Sequence, residues 1–546
     1  MKRILVVTAA LFAALFALMI FSCDNSSGNP TVPPVAKKTS DWLFLFYLDA
    51  DDDVLNDDIY KNMREIEYAL SQMRKADGSP SGNYPSVTAL VLWDGISEAK
   101  KKNQIYIHPD GALFELGADY NLDYVTYGGE NKYRLGAVSL KGKSDLGDKF
   151  IVGANTIDWT AQARAEGCLD VEPNMADYKT LERFLKWAKS RYDAANVVLC
   201  LGDHGSGPYK ETYTDTTLVS KSLCSDKTND DGKRLLSCKN IKDALAAAGY
   251  VGSQKPKILW NDVCLQSSAE IIWNYRGCAD YLLASPNLDV SQEFVRIMTS
   301  MGKGSAPIDF GKIVVSAYHQ RYYETPQECP KTEADAKAKR SSGYSLFTFS
   351  LLSLDEQKAG KLKEAVDDFS DALLELKNGG AAQQALFQKV FDDYVDQDPN
   401  DFSKCKGLSY HGIYAFLSDL GDLAVRIKLD AELSALHNSA DALLALLKHG
   451  DDNLIVYAWA GKMAGTETIP TWSNVTQKQL YLTGGYDYIS GETLAVEREE
   501  DVYGLTIASS AVYPKDQEFD ITENYEKWVD FSSRWGDVIK AWKAYY

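Results

Sequence analysis

An α/β fold, with a mostly parallel sheet and helices on both faces, follows from three features of the sequence. Apolar runs of strand length alternate with segments of helical spacing from Trp42 onward. Strands separated by helices in this way build a parallel sheet with helices on both sides. Two of the runs end in reactive side chains, one at Asp203-His204 and one at Asp262-Val263-Cys264, and open α/β sheets carry functional residues at the carboxyl ends of their strands.

The elements follow in order. Residues 42–48 are an apolar run and read as the first strand. Residues 57–73 have helical spacing, with Ile59, Met63, Ile66 and Leu70 on one face. Residues 86–93 read as a second strand, and 104–108 and 124–127 as edge strands. An amphipathic helix over 177–192 turns Leu181, Phe184, Leu185 and Ala188 inward. Strands over 196–201, 257–260 and 281–284 then alternate with helices over 238–248, 267–275 and 291–300. The character changes near residue 305. Residues 308–323, 355–376, 381–395 and 413–448 carry helical periodicity, 344–352 reads as a strand, and the chain beyond Leu454 is aromatic and turn-rich with a closing helix over 528–542. The expected organisation is an α/β domain over 41–305 and a helical and mixed C-terminal region over 306–546.

The N-terminus has the form of a secretory signal: Met1-Lys2-Arg3, an apolar stretch from Ile4 to Phe21, then Ser22-Cys23. Ile20-Phe21-Ser22-Cys23 resembles a bacterial lipoprotein box, which makes residues 1–22 the signal and Cys23 the lipidated first residue. An ordinary cleaved signal is a second reading. An uncleaved anchor is a third, since about 18 apolar residues approach the length that spans a bilayer. Residues 23–40 are rich in Asn, Ser, Gly and Pro and read as a flexible tether. The expected location is the bacterial cell envelope, with the chain lipid-anchored and facing the periplasm or the exterior.

Net charge is −19, and −21 once Lys2 and Arg3 leave with the signal. Such a surface disfavours nucleic acid and anionic lipid and attracts cationic peptides. The nine cysteines include no Cys-x-x-Cys pair, which argues against a structural zinc site. A cysteine at one strand end and a histidine at another are the components of a thiol nucleophile with its general base. The glycines of Gly205-Ser-Gly207 let the backbone approach a ligand beside His204. Cys264 precedes a predicted helix, whose N-terminus would lower its pKa.

These segments resemble the clostripain family of cysteine peptidases, which share the caspase-like α/β fold. Tyr47-Leu-Asp-Ala-Asp51-Asp-Asp53-Val-Leu55 is similar to the family's first-strand motif, with Asp52 for its Asn. Asn174-Met175 through Phe184 resembles its helix entry, and Asp203-His204-Gly205-Ser206-Gly207 its histidine loop. Asp262-Val-Cys264-Leu265 with Glu270 resembles its nucleophile segment, with Gln266 for Met; Pro286 stands where the family has Glu. Tyr503-Gly504-Leu505-Thr-Ile507 resembles its C-terminal motif.

The resemblance implies a cysteine endopeptidase with Cys264 as nucleophile, His204 as base, and the N–H groups of Gly205 and Cys264 as the oxyanion hole. It implies that Asp262 lines the pocket for the residue before the cleaved bond, so that protein or peptide substrates are cut after Arg or Lys. The other reading of Asp262 is a cap on the following helix. The chemistry needs no cofactor. The family's calcium-dependent members make Asp49, Asp51 and Asp53 weak calcium candidates. Self-cleavage at a basic residue between His204 and Cys264 is a further expectation of this specificity. The rival reading is a catalytically inert surface lipoprotein of the same fold that binds a protein or glycan partner through its aromatic C-terminal region.

Overall fold

The first apolar run becomes an inner strand of a nine-stranded sheet. The structure is a computed structural model that describes residues 36–51, 55–96, 108, 110–124, 138–140, 150–205, 207, 223–224, 226, 229, 236–286, 289, 292–323, 349–395, 417–458, 471–472, 475–476, 503–509 and 531–543. Several expectations lie outside the described residues: the signal, Cys23, the tether up to residue 35, Asp53, the strand residues 104–107, 125–127 and 344–348, and Lys210, Lys221, Lys227, Lys233 and Arg234 between His204 and Cys264, where self-cleavage is expected.

The strands are β1 (Lys38–Ala50), β2 (Val87–Gly95), β3 (Ala112–Glu115), β4 (Ile157–Asp158), β5 (Tyr192–Gly202), β6 (Ile258–Asp262), β7 (Tyr281–Ala284), β8 (Ser350–Ser353), β9 (Leu417–Asp419), β10 (Ile455–Ala458) and β11 (Thr506–Ala508). The sheet runs β10-β8-β7-β6-β5-β1-β2-β3-β4. The five inner strands from β7 to β2 are mutually parallel, and the outer pairings are antiparallel. Strand β1 begins at Lys38, inside the segment read as tether, where Lys38–Ser40 pair with Tyr192–Ala194.

Parallel strands need helical crossovers, and these cover both faces. Helices α1 (Asn56–Met73), α2 (Tyr178–Arg191), α3 (Cys238–Ala247), α4 (Ala269–Tyr275), α5 (Phe294–Thr299), α6 (Pro307–Tyr323), α7 (Glu356–Asn378), α8 (Ala381–Tyr394), α9 (Leu420–Leu429), α10 (His437–Leu446) and α11 (Ser533–Lys543) are used below. Alternation along β1 splits its side chains between two cores. Leu43, Leu45 and Tyr47 join Leu199 and Leu259 against Phe184 of α2, Ile241 of α3, Ile272 of α4 and Phe369 of α7. Trp42, Phe44 and Phe46 join Val198 and Trp260 against Ile59 and Met63 of α1, Ile297 of α5 and Phe310 of α6.

Lys38 to the C-terminus packs as one unit. Strands β8 and β10 extend the same sheet beside β7, so the change in composition near residue 305 marks no break in the sheet. Within the helical stretch expected over 413–448, Leu417–Asp419 is a strand paired antiparallel with β11.

Inside α1, the buried Arg64 guanidinium bonds Glu67 and, at 2.8 Å, Asp119. Glu67 also accepts from Gly153 N–H at 2.7 Å and from the Thr156 hydroxyl. Burial nonetheless outweighs these donors and pushes the Glu67 carboxyl up to about 6. Removing one partner of a buried ionic network costs about 3–5 kcal/mol. Arg64→Met is expected to lose about 3 kcal/mol at pH 7 in urea unfolding. The loss should shrink at pH 5, where Glu67 holds a proton and needs no cation. An equal loss at both pH values would contradict this account.

Candidate active site

The pairing of β5 with β6 brings the two reactive segments together. Gly202 lies opposite Asp262, so Asp203-His204-Gly205 and Val263-Cys264 leave neighbouring parallel strands at the same level. Asp203 is buried and His204 is exposed, the opposed orientation of successive strand-end residues. Cys264 is half-buried in the turn after β6.

The main chain of the histidine loop closes directly on the cysteine. A Cβ on Gly205 would stand 2.3 Å from the Cys264 carbonyl oxygen and 3.0 Å from its nitrogen, so only glycine admits this approach. Gly207, at φ 103°, turns the loop away in a conformation that favours glycine. On the other side, the Asp289 N–H donates to Cys264 Sγ at 3.2 Å. Burial pushes the thiol up to about 12, while the Asp289 and Gly205 N–H groups pull it down and the Asp289 and Asp203 carboxylates push it up. The net effect is to raise the thiol, with burial as the largest cause.

This corrects the expectation of a thiol whose pKa is lowered by a helix. Helix α4 starts at Ala269 rather than near Leu265, with Ser268 as its cap accepting from Ile271 N–H at 3.3 Å. Three residues separate Cys264 from that cap, and a helix terminus acts only over its last turn. The same finding removes the capping role for Asp262. Asp262 is half-buried at the end of β6, and both it and Asp289 press on buried Cys200 beneath them. Asp289 was missed by sequence reasoning. Its signal was its place just beyond β7, the next strand end in the sheet.

Asp49 and Asp51 belong to a different feature. Asp49 lies opposite Asp94 of β2, and Leu48 opposite Gly202 sets Asp49 beside Asp203. Three carboxyls thus stand in a row across three strands, all buried, with Asp226 and Asp51 close enough to act on Asp49. Burial first, then these like charges, raises Asp49 well above the usual carboxylate range. Among the described residues, which leave out 52–54, no group of three His, Cys, Asp or Glu side chains is arranged to hold a metal ion.

Comparison with known proteins bears on the chain as a whole. Residues 70–542 match the sequence profile of the Clostripain family. Clostripain of Hathewaya histolytica is 30% identical over 122 residues, which cover 21% of this chain and 22% of that protein, about a fifth of its length. A secreted C11 cysteine protease from Bacteroides thetaiotaomicron, solved with an irreversible peptide inhibitor, is similar at 12% identity and a TM-score of 0.46, covering 91% of this chain and 99% of that one. An inactive zymogen C11 protease from Parabacteroides distasonis is similar at 16% identity and a TM-score of 0.37, covering 78% and 85%.

Replacing Asp49 tests the acid row. A carboxyl raised in the folded state contributes stability below its unfolded value and loses it as pH rises through the folded value. Asparagine carries no such charge, and its oxygen can still accept from Asp51 N–H, now 3.4 Å from Asp49 Oδ1. The thermal midpoint of Asp49→Asn relative to the parent should therefore climb from pH 4 to pH 8. A difference that stays flat or falls over that range would mean Asp49 is ionised in the fold.

Proposed function

The chain belongs to the clostripain family of cysteine peptidases, and we propose that it is an endopeptidase cleaving after Arg or Lys, with Cys264 as nucleophile and His204 as base. One observation carries this reading: the register that delivers His204 and Cys264 from neighbouring strand ends, with the Gly205 main chain closed on the cysteine. In the proposed reaction the neutral thiol gives its proton to His204 as Sγ attacks the scissile carbonyl carbon. The oxyanion is held by the Gly205 and Cys264 N–H groups. Collapse breaks the C–N bond, His204 protonates the leaving amine, and an acyl-thioester remains. Water, deprotonated by His204, then releases the acid and restores the thiol.

A thiol pushed up by burial favours transfer of its proton to His204 as attack proceeds. Asp262, half-buried beside the nucleophile turn, supplies the carboxylate for a guanidinium or ammonium group of the substrate. The nearby Asp289 adds to the negative potential of that pocket. The N-terminal sequence supports an envelope location with a lipid on Cys23. None of the described helices is long and apolar enough to cross a membrane.

Fluorogenic peptides ending in Arg, Lys, Asp or Leu test the assignment on the full chain in detergent. The basic peptides should turn over, Cys264→Ala and His204→Ala should lose at least about 10³-fold in kcat/KM, and a chelator should change nothing. Asp262→Asn should lower kcat/KM on the basic peptides by about 10²-fold or more, a charge-assisted pair being worth about 3 kcal/mol. Turnover of a non-basic peptide alone would remove the Asp262 role and keep the pair. Folded protein inert to every peptide under reducing conditions would favour the partner-binding lipoprotein.

A further inference from the structure

The histidine loop and the nucleophile turn both leave the sheet where strand pairing ends at Gly202 and Asp262. Gln266 joins them beyond that point. Its side-chain Nε2 donates to the Gly207 carbonyl at 3.3 Å, and its Oε1 accepts from Asn261 Nδ2 at 3.4 Å. Its own N–H donates to the Ser285 carbonyl at 2.7 Å. One residue therefore touches the loop after β5, the strand β6 and the end of β7. The side chain is fully buried. The amide has one orientation only, since a carbonyl accepts and so requires the NH2 group to face Gly207.

A buried amide costs stability unless its groups are bonded, whereas an apolar side chain of similar volume would fill the same space without that demand. This chain carries the amide where the family it resembles has methionine. Methionine has no donor for the Gly207 carbonyl, the contact that reaches the histidine loop.

We propose that Gln266 is a positioning residue, whose amide holds the His204 loop in register with Cys264 and so sets the rate of proton transfer between them. This rests on the reading of Cys264 and His204 as the reacting pair. Misplacing reacting groups by about 1 Å can cost about 10²-fold in rate.

The test compares the full-length protein with Gln266→Met, Gln266→Glu and Cys264→Ala. Each is measured for kcat and KM on an Arg-terminated fluorogenic peptide and for its thermal midpoint, and those that keep Cys264 for the pH dependence of its alkylation by iodoacetamide. Gln266→Met should lower kcat by about tenfold or more, leave KM within about twofold, and shift the alkylation profile to higher pH. In Gln266→Glu a carboxylate would face the Gly207 carbonyl, and a protonated carboxyl would restore a donor. Its deficit against the parent should therefore narrow as pH falls. Parent-like kcat and alkylation in Gln266→Met would overturn the proposal. If that variant did not fold, a deficit of Gln266→Glu that is absent or constant with pH would overturn it instead. Turnover retained in Cys264→Ala would remove the underlying assignment as well. An inactive Cys264→Ala beside a fully active Gln266→Met would sink this inference alone.

Discussion

The parallel pairing of β5 with β6 is the constraint on which the rest depends. Neighbouring strands lie about 4.8 Å apart, so residues leaving them at one level can meet without any further folding. Gly202 opposite Asp262 makes His204 and Cys264 such a pair. The register itself is held by burial on both faces. Slipping β5 by one residue would send Val198 and Cys200 into the core that holds Leu199 and Leu201, and Trp260 allows no such exchange on the neighbouring strand. The large cores above and below the sheet thus act on the chemistry through one fixed alignment.

Around that alignment, burial works against the charged forms of acids and thiol. Burial raises the Cys264 thiol, and burial with the charges of Asp203, Asp94, Asp226 and Asp51 raises the Asp49 carboxyl well above the usual carboxylate range. The two effects are linked by Asp203, which lies in the acid row and adjoins His204 in sequence. Were the row fully ionised, its field would raise the thiol further, as the Asp203 charge already does. A raised Asp49 carboxyl in that row limits the penalty. A chain with net charge −19 carries acids where they are solvated and neutralises those it buries.

The inner strands were legible because apolar runs bounded by helical spacing announce themselves locally. His204 and Cys264 were legible because each ends such a run. Other features rest on contacts far apart in sequence. Helix α4 begins late because Gln266 and Ser267 N–H groups bond the Ser285 carbonyl instead of continuing a helix. That departure takes the helix N-terminus away from Cys264, and burial then raises the thiol. Strand β3 is four residues long and depends on Leu90–Trp93 of β2 for its pairing. Leu417–Asp419 has helical neighbours on its C-terminal side and becomes a strand only because Thr506–Ala508 lies alongside. Periodicity has no access to such partners.

The C-terminal motif Tyr503-Gly504-Leu505-Thr506-Ile507 shows why distant segments matter to the site. Leu265, directly after the nucleophile, sits at φ 61°, a left-handed conformation that a bulky side chain adopts only when its surroundings impose it. The imposition comes from behind. Ser267 donates its hydroxyl to the Gly504 carbonyl at 2.5 Å, and Thr506 donates both its N–H and its hydroxyl to the Ser267 carbonyl at 2.9 Å. Glu270 accepts from Ala508 N–H at 2.9 Å, fixing the first turn of α4. Gly504 can hold this line only as glycine, because it has φ 71° and a Cβ there would lie 2.4 Å from the Ser350 hydroxyl oxygen. Asp419 then locks the strap itself, accepting from Tyr503 and Gly504 N–H at 3.2 and 3.1 Å. The segment some 240 residues after Cys264 is therefore the back wall of the nucleophile turn. A left-handed Leu265 is the mark of a turn over-determined from both sides, by Gln266 toward the histidine loop and by this strap behind it.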